Sequence, residues 1–140
     1  DVRHPDIMRF VVMKRDLTKV TGANISVMLT DEFMNTVEQD GDWICRWPIE
    51  GDPAEVIEKG GKWINVKVNP DDPLGFPLDH KVWISNDPEE KRVLRMVKAK
   101  KLWHLINESA TLCAEPGLLF WDNYGNNLPA HKYKNFKLIC

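Results

Sequence analysis

Apolar residues recur along this chain in two rhythms, one with a helical period and one alternating, and turn residues separate them. "HPDIMRFVVMKRD" predicts a short helix: Pro5 suits its first turn, and Ile7, Met8, Phe10, Val11 and Val12 give it an apolar surface. "ANISVMLT", entered through Gly22, is rich in branched residues and predicts a strand. "TDEFMNTVEQDG" follows at once as a helix, with Thr30 as N-cap, Asp31 and Glu32 in the positive first turn, and Gly41 as the stop. A strand running directly into a capped helix points to α/β architecture.

From residue 42 the pattern shortens. "DWICRWPIEGDP" starts extended and ends in turn residues. "EVIEKGGKWINVKVNP" predicts a hairpin across Gly60 and Gly61, with Trp63, Asn65 and Lys67 alternating against Ile64, Val66 and Val68. "DDPLGFP" is a loop, because its prolines and glycine block both ladder and helix, and "HKVWISN" is a further strand. Asp87 and Pro88 are then expected to open the longest helix, with Glu89 and Glu90 in its first turn. Its apolar face would carry Val93, Val97, Leu102, Leu105, Ile106, Ser109, Ala110 and Cys113. Lys98, Lys100 and Lys101 form a solvated face. The helix should stop near Pro116 and Gly117. "GLLFWDN" reads as a buried strand, "YGNNLPAHKYKN" as loop, and "FKLIC" as the start of one more strand.

The totals narrow the function classes. A chain of 140 residues with 43% hydrophobic content can bury one core, and six tryptophans argue against disorder. A net charge of -2 gives no electrostatic case for a nucleic-acid or membrane partner. The longest apolar candidate, Phe10 to Met13, is far too short for a membrane span, and no secretory leader is read. Cys45, Cys113 and Cys140 are odd in number and lack CxxC spacing, which fits reduced thiols in a cytoplasmic protein.

Local signatures of catalysis are missing. No GxGxxG or GxxxxGK[ST] offers a phosphate-cradling loop, and the histidines at 4, 80, 104 and 131 form no HExxH. His104 and Glu108 share a helix face at i+4, but a metal needs at least one more ligand, so an exposed helix pair is the simpler account. Cys113 reads as a buried core thiol and Cys45 as a strand residue, neither with a group placed to lower its pKa. Asp122 and Asn123 follow a strand, where α/β proteins often place functional groups, although a capped turn explains them as well. No residue is therefore assigned a catalytic or metal-binding role, and cofactor-binding residues stay unassigned.

Two stretches carry more. "HPDIMRFVVMKRDLTKVTGANISVMLTDEFMNTVE", residues 4–38, closely resembles the large catalytic subunit of ribonucleotide reductases, particularly the adenosylcobalamin-dependent class II enzymes. "LWHLINESATLCAEPGLLFWDNYGNNLPAHKYKNFKLIC", residues 102–140, is similar to the segment of that family leading into the finger loop, and "DWICRWPI" also looks like a family piece. Residues 50–90 have no confident counterpart.

The resemblance implies a partial slice of the ten-stranded α/β barrel of these enzymes, with an irregular β-containing insertion. On that reading residues 1–41 are helix–strand–helix, 42–86 the β/loop insertion, and 87–140 the long helix, a strand and the start of the next. "ANISVML" and "GLLFWDN" would be neighbouring parallel strands. Both ends look cut, since Asp1 is not a methionine and the chain stops in an apolar run. In the family, the strand matching "FKLIC" leads into an Asn-Pro-Cys loop whose cysteine becomes the thiyl radical. Cys140 is not that cysteine, and the redox cysteine pair would flank the segment, one member upstream of Asp1 and one downstream of Cys140.

The parent activity implied is reduction of ribonucleotides to deoxyribonucleotides for DNA synthesis, with adenosylcobalamin as cofactor, a ribonucleotide substrate and a deoxynucleotide effector. The slice itself would be inactive scaffold that binds no cofactor. Cut strands would expose edges, so a homo-oligomer is expected. The alternatives are the catalytic chain of a class I enzyme, or a non-catalytic interaction module reusing the fold.

Overall fold

The computed structural model describes residues 1–16, 18, 20–133 and 135. Among them the chain runs α1 (Ile7–Val12), β1 (Ser26–Leu29), α2 (Asp31–Glu38), β2 (Asp42–Trp47), α3 (Pro53–Glu58), β3 (Gly61–Val66), β4 (His80–Ser85), β5 (Val93–Lys98), α4 (Ala99–Cys113), β6 (Gly117–Phe120) and α5 (Trp121–Asn127). A 3-10 turn follows over Pro129–Lys132. "FKLIC", with Cys140, lies outside the described residues.

The strands form two sheets. β1 and β6 pair in parallel, with Val27 beside Leu118 and Leu29 beside Phe120, as the resemblance anticipates. The other sheet is antiparallel in the order β2-β5-β4-β3. Parallel neighbours need a long crossover; here it comprises α2, the whole four-stranded sheet with α3, and α4. The described strands do not close into a barrel.

One core joins the two sheets. Val27 and Leu29 of β1 are buried with Ile7, Met8 and Val11 of α1, Phe33 and Val37 of α2, Trp43, Cys45 and Val97 of the antiparallel sheet, and Leu102, Leu105 and Ile106 of α4. Phe33 and Trp43 meet edge to face at 5.1 Å, and the Trp43 indole N–H donates to the Val2 carbonyl at 3.1 Å. Each such side chain contributes about 1.5–3 kcal/mol through burial. Arg15 braces the outside of α4, donating to the buried Ser109 hydroxyl at 2.8 Å and to Glu108 at 2.7 Å.

Four expectations fail, each for a local reason. Residues 53–58 do not form the first arm of a hairpin. The Asp52 carboxylate accepts from the Ala54 N–H at 2.9 Å and Pro53 opens α3, so a helix-start signal outweighs the branched residues. Gly60, at φ +91°, then turns the chain into β3, whose partner is β4. A Cβ at Gly61 would come within 2.6 Å of the Trp83 ring.

The longest helix begins at Ala99, not Asp87. Asp87 caps a turn by accepting from the Glu89 N–H at 3.0 Å. Glu90 closes another by accepting from the Arg92 backbone and side chain at 3.0 and 2.8 Å. Val93 and Val97 belong to β5, the strand between β2 and β4, where alternation and branched residues suit the sheet. Of the expected helical face, Leu102, Leu105, Ile106 and Ser109 are buried, while Ala110 and Cys113 are only partly so.

"GLLFWDN" is neither wholly strand nor buried. β6 stops at Phe120, and Gly117, Leu118 and Phe120 are exposed, because β1 is the neighbour β6 has among the described residues. The expected loop that follows is instead α5 and the 3-10 turn.

Candidate functional site

Because β1 and β6 are parallel, both deliver their carboxyl ends to one place, and each end passes straight into a helix. In α/β folds this end of the sheet is where ligands and reacting groups gather. Thr30 follows the last residue of β1 and caps α2, its hydroxyl accepting from the Phe33 N–H at 3.2 Å. Asp122, in the first turn of α5, accepts from the Asp31 N–H at 2.7 Å. A carboxylate from the second strand–helix turn thus satisfies an unpaired donor at the start of the first helix.

Beside this junction a cavity of about 730 Å³ is lined by Leu119, Phe120, Asn123, Tyr124, Asn127, Leu128 and Pro129. Asn127 donates to the Asn123 carbonyl at 2.9 Å and to its side-chain oxygen at 2.5 Å. Tyr124 stacks with Trp121 at 6.0 Å. Amides, a phenol and apolar walls can orient a polar ligand by hydrogen bonds. Among the described residues the lining holds no carboxylate, imidazole or thiol to transfer a proton or attack a bond.

The sequence singled out Asp122 and Asn123, and the structure places both at this junction. It missed Tyr124 and Asn127, assigned to a loop; the signal available was the i, i+4 spacing of Asn123 and Asn127 directly after a strand.

The remaining candidates lie elsewhere. Cys45 is fully buried on β2 and its thiol is pushed up to about 12 by burial, against the smaller opposing pull of Arg95 and Arg46. Cys113 is partly rather than fully buried, its sulfur 3.2 Å from the Ser109 carbonyl and 3.3 Å from that of Glu115. His104 is exposed, and Glu108 is engaged by Arg15. Among the described residues no three His, Cys, Asp or Glu side chains gather as a metal site. None of these residues reaches the strand-end cavity.

The family model described as "Ribonucleotide reductase, barrel domain" matches residues 1–137. The chain belongs to that family. It is also 25% identical, over 127 residues, to a protein of Thermoplasma acidophilum named vitamin B12-dependent ribonucleoside-diphosphate reductase. That match covers 90% of this chain but 11% of the relative, so the chain spans about a tenth of the relative's length. No solved structure matches it. In this reductase-family chain the strand-end junction is built by the parallel β1–β6 pair, and no barrel closes among the described residues. No helix among them is long and apolar enough to cross a membrane.

Proposed function

We propose that this chain is a slice of the catalytic barrel of an adenosylcobalamin-dependent, class II ribonucleotide reductase working in the cytoplasm. The parent enzyme converts ribonucleotides to deoxyribonucleotides by thiyl-radical chemistry under control of a deoxynucleotide effector. The match over residues 1–137 to the reductase barrel carries this reading, and the relative's name favours the cobalamin class. Residues 1–140 act as one fragment of the ten-stranded barrel, with the antiparallel sheet as an addition to it.

The role of this slice is positional. β1 and β6 hold their carboxyl ends in fixed register, and Asp122 locks the two following helices together. The strand-end cavity does not itself fit adenosylcobalamin. The cavity, about 730 Å³, suits a ligand of ordinary drug size, and its lining among the described residues offers no imidazole. Cofactor and radical cysteine are therefore assigned to other parts of the parent chain, and the cofactor supplies the radical chemistry while the scaffold supplies geometry.

The test is a reductase assay of the parent chain with and without adenosylcobalamin, beside the 140-residue chain alone. Cobalamin-dependent deoxynucleotide formation by the parent, with none by the slice, is expected. Activity that needs a separate radical-generating subunit instead of cobalamin would move the chain to class I.

A further inference from the structure

Away from the strand ends, the antiparallel sheet carries a cationic cluster that the reductase reading does not use. Arg95 lies on β5, opposite Cys45 of β2 and Val82 of β4. Its guanidinium carbon stands 3.9 Å from the centroid of Phe76, and that of Arg9, from α1, stands 4.2 Å from the same ring. His80, only 5% exposed, packs against Phe76 at 4.8 Å.

Hydrogen bonding fixes the charge of this group. His80 Nδ1 is 2.9 Å from the Leu78 carbonyl, which can only accept, so Nδ1 carries the proton. Nε2 then has a free lone pair and accepts from Arg95 at 2.6 Å. The histidine is a neutral acceptor and brings no counter-charge. Arg95 Nε is buried with no hydrogen-bond partner; the carboxylate whose charge acts on it is that of Asp6, which also pairs loosely with Arg9. Arg9 has only a loose pair with Asp6 at 4.0 Å, both half-exposed.

The contrast with other arginines is informative. Arg3 is paired with Asp1, Arg15 with Glu108, and Arg92 with Glu90 and Glu55. A partly buried guanidinium pays desolvation that aromatic stacking only partly returns. Arginine's planar fork suits a tetrahedral oxyanion.

We propose that Arg95 and Arg9, assembled around Phe76, form a binding site for a small phosphate-bearing anion. Arg95 is the fixed member, oriented by His80 and the ring. Arg9, on the exposed side of α1, completes the contact from solvent. Burial holds the Arg95 guanidinium and the His80 imidazole below their ordinary values, and a bound oxyanion would relieve both. The site stands apart from the strand-end junction and is independent of the reductase assignment.

Isothermal titration of the full chain with inorganic phosphate, against chloride at equal ionic strength near neutral pH, tests this. Saturable binding is expected in the wild type, weakened about tenfold or more in both Arg95→Met and Arg9→Gln. The Arg9 variant keeps the test decisive even if the half-buried Arg95 variant unfolds, which circular dichroism would reveal. Absence of saturable phosphate binding in the wild type would overturn the proposal, and is the result expected if a carboxylate from elsewhere in a longer chain covers Arg95. Unchanged affinity in Arg9→Gln would overturn it equally.

Discussion

The carboxylate of Asp122 accepts the backbone N–H of Asp31 at 2.7 Å, joining two helix starts that are 91 residues apart in the chain. This contact stands where the two parallel strands end, so it fixes the geometry of the junction as well as satisfying a donor. Asp122→Ala should lower stability by about 1 kcal/mol, the usual loss when a helix N-terminal donor forfeits its side-chain partner. Asp122→Asn keeps an acceptor and should lose less. Urea midpoints of the three proteins check the order, and equal midpoints would show that water replaces the carboxylate without loss.

His80 should make stability depend on pH. Its folded pKa lies below the ordinary value of 6.5, first because burial disfavours the charged ring and also because Arg95 repels it, with the Leu78 carbonyl and Asp79 opposing. Below about 6.5 the unfolded chain therefore takes up a proton that the folded chain resists. Stability from this group is complete above that pH and declines as the pH falls from there through the folded pKa. The Asp79 and Glu90 carboxylates, both held low by hydrogen bonds, titrate only at more acidic pH. Urea midpoints measured from neutral to mildly acidic pH should fall in the wild type and stay flatter in His80→Gln.

The thiols should differ in reactivity. With its thiol pushed up to about 12, Cys45 holds almost no thiolate at neutral pH and has no path to solvent. Cys113, partly exposed at the end of α4, should label first of these two. Native labelling with a chromogenic disulfide, resolved by peptide mapping, checks this, and rapid modification of Cys45 would mean that the core opens readily.

Association is expected of the 140-residue chain on its own. The outer edge of β6 has no neighbour among the described residues, and Leu118 and Phe120 are 39% and 42% exposed on the face where Val27 and Leu29 are buried. An open edge beside apolar surface pairs readily with another copy. Sedimentation at micromolar concentration should show a dimer or larger species, reduced by Phe120→Lys. A strictly monomeric chain would contradict it.

How far the fold was legible depended on whether the determining contacts were local. Thr30, Asp31 and Glu32 declare the start of α2 within four residues, and the structure uses them so. The branched run of β1 and the apolar period from Leu102 to Ser109 were equally plain. The start of the long helix was misread because residues 93–98 satisfy both periods. Only the presence of β2 and β4 on either side, at positions distant in sequence, decides for a strand. The same holds for Arg95: nothing within a few residues of it announces Phe76, His80 and Arg9. At the strand-end junction Asp122 was visible as a residue after a strand, while its partner Asp31 was not, because the bond spans most of the chain.

The antiparallel sheet enters and leaves the molecule at one doorway. Asp42, its first residue, is the register partner of Lys98, its last, and the Ala99 N–H donates to the Gly41 carbonyl at 3.1 Å. The ends of α2 and α4 are thereby held together by a few atoms, whatever the length of chain that loops out between them. Shortening or lengthening the turns beyond β3 and β4 alters the far side of that loop and leaves the doorway unmoved. Growth and loss of sequence in this region are thus mechanically uncoupled from the spacing of β1 and β6, which makes it the natural place for such a chain to vary.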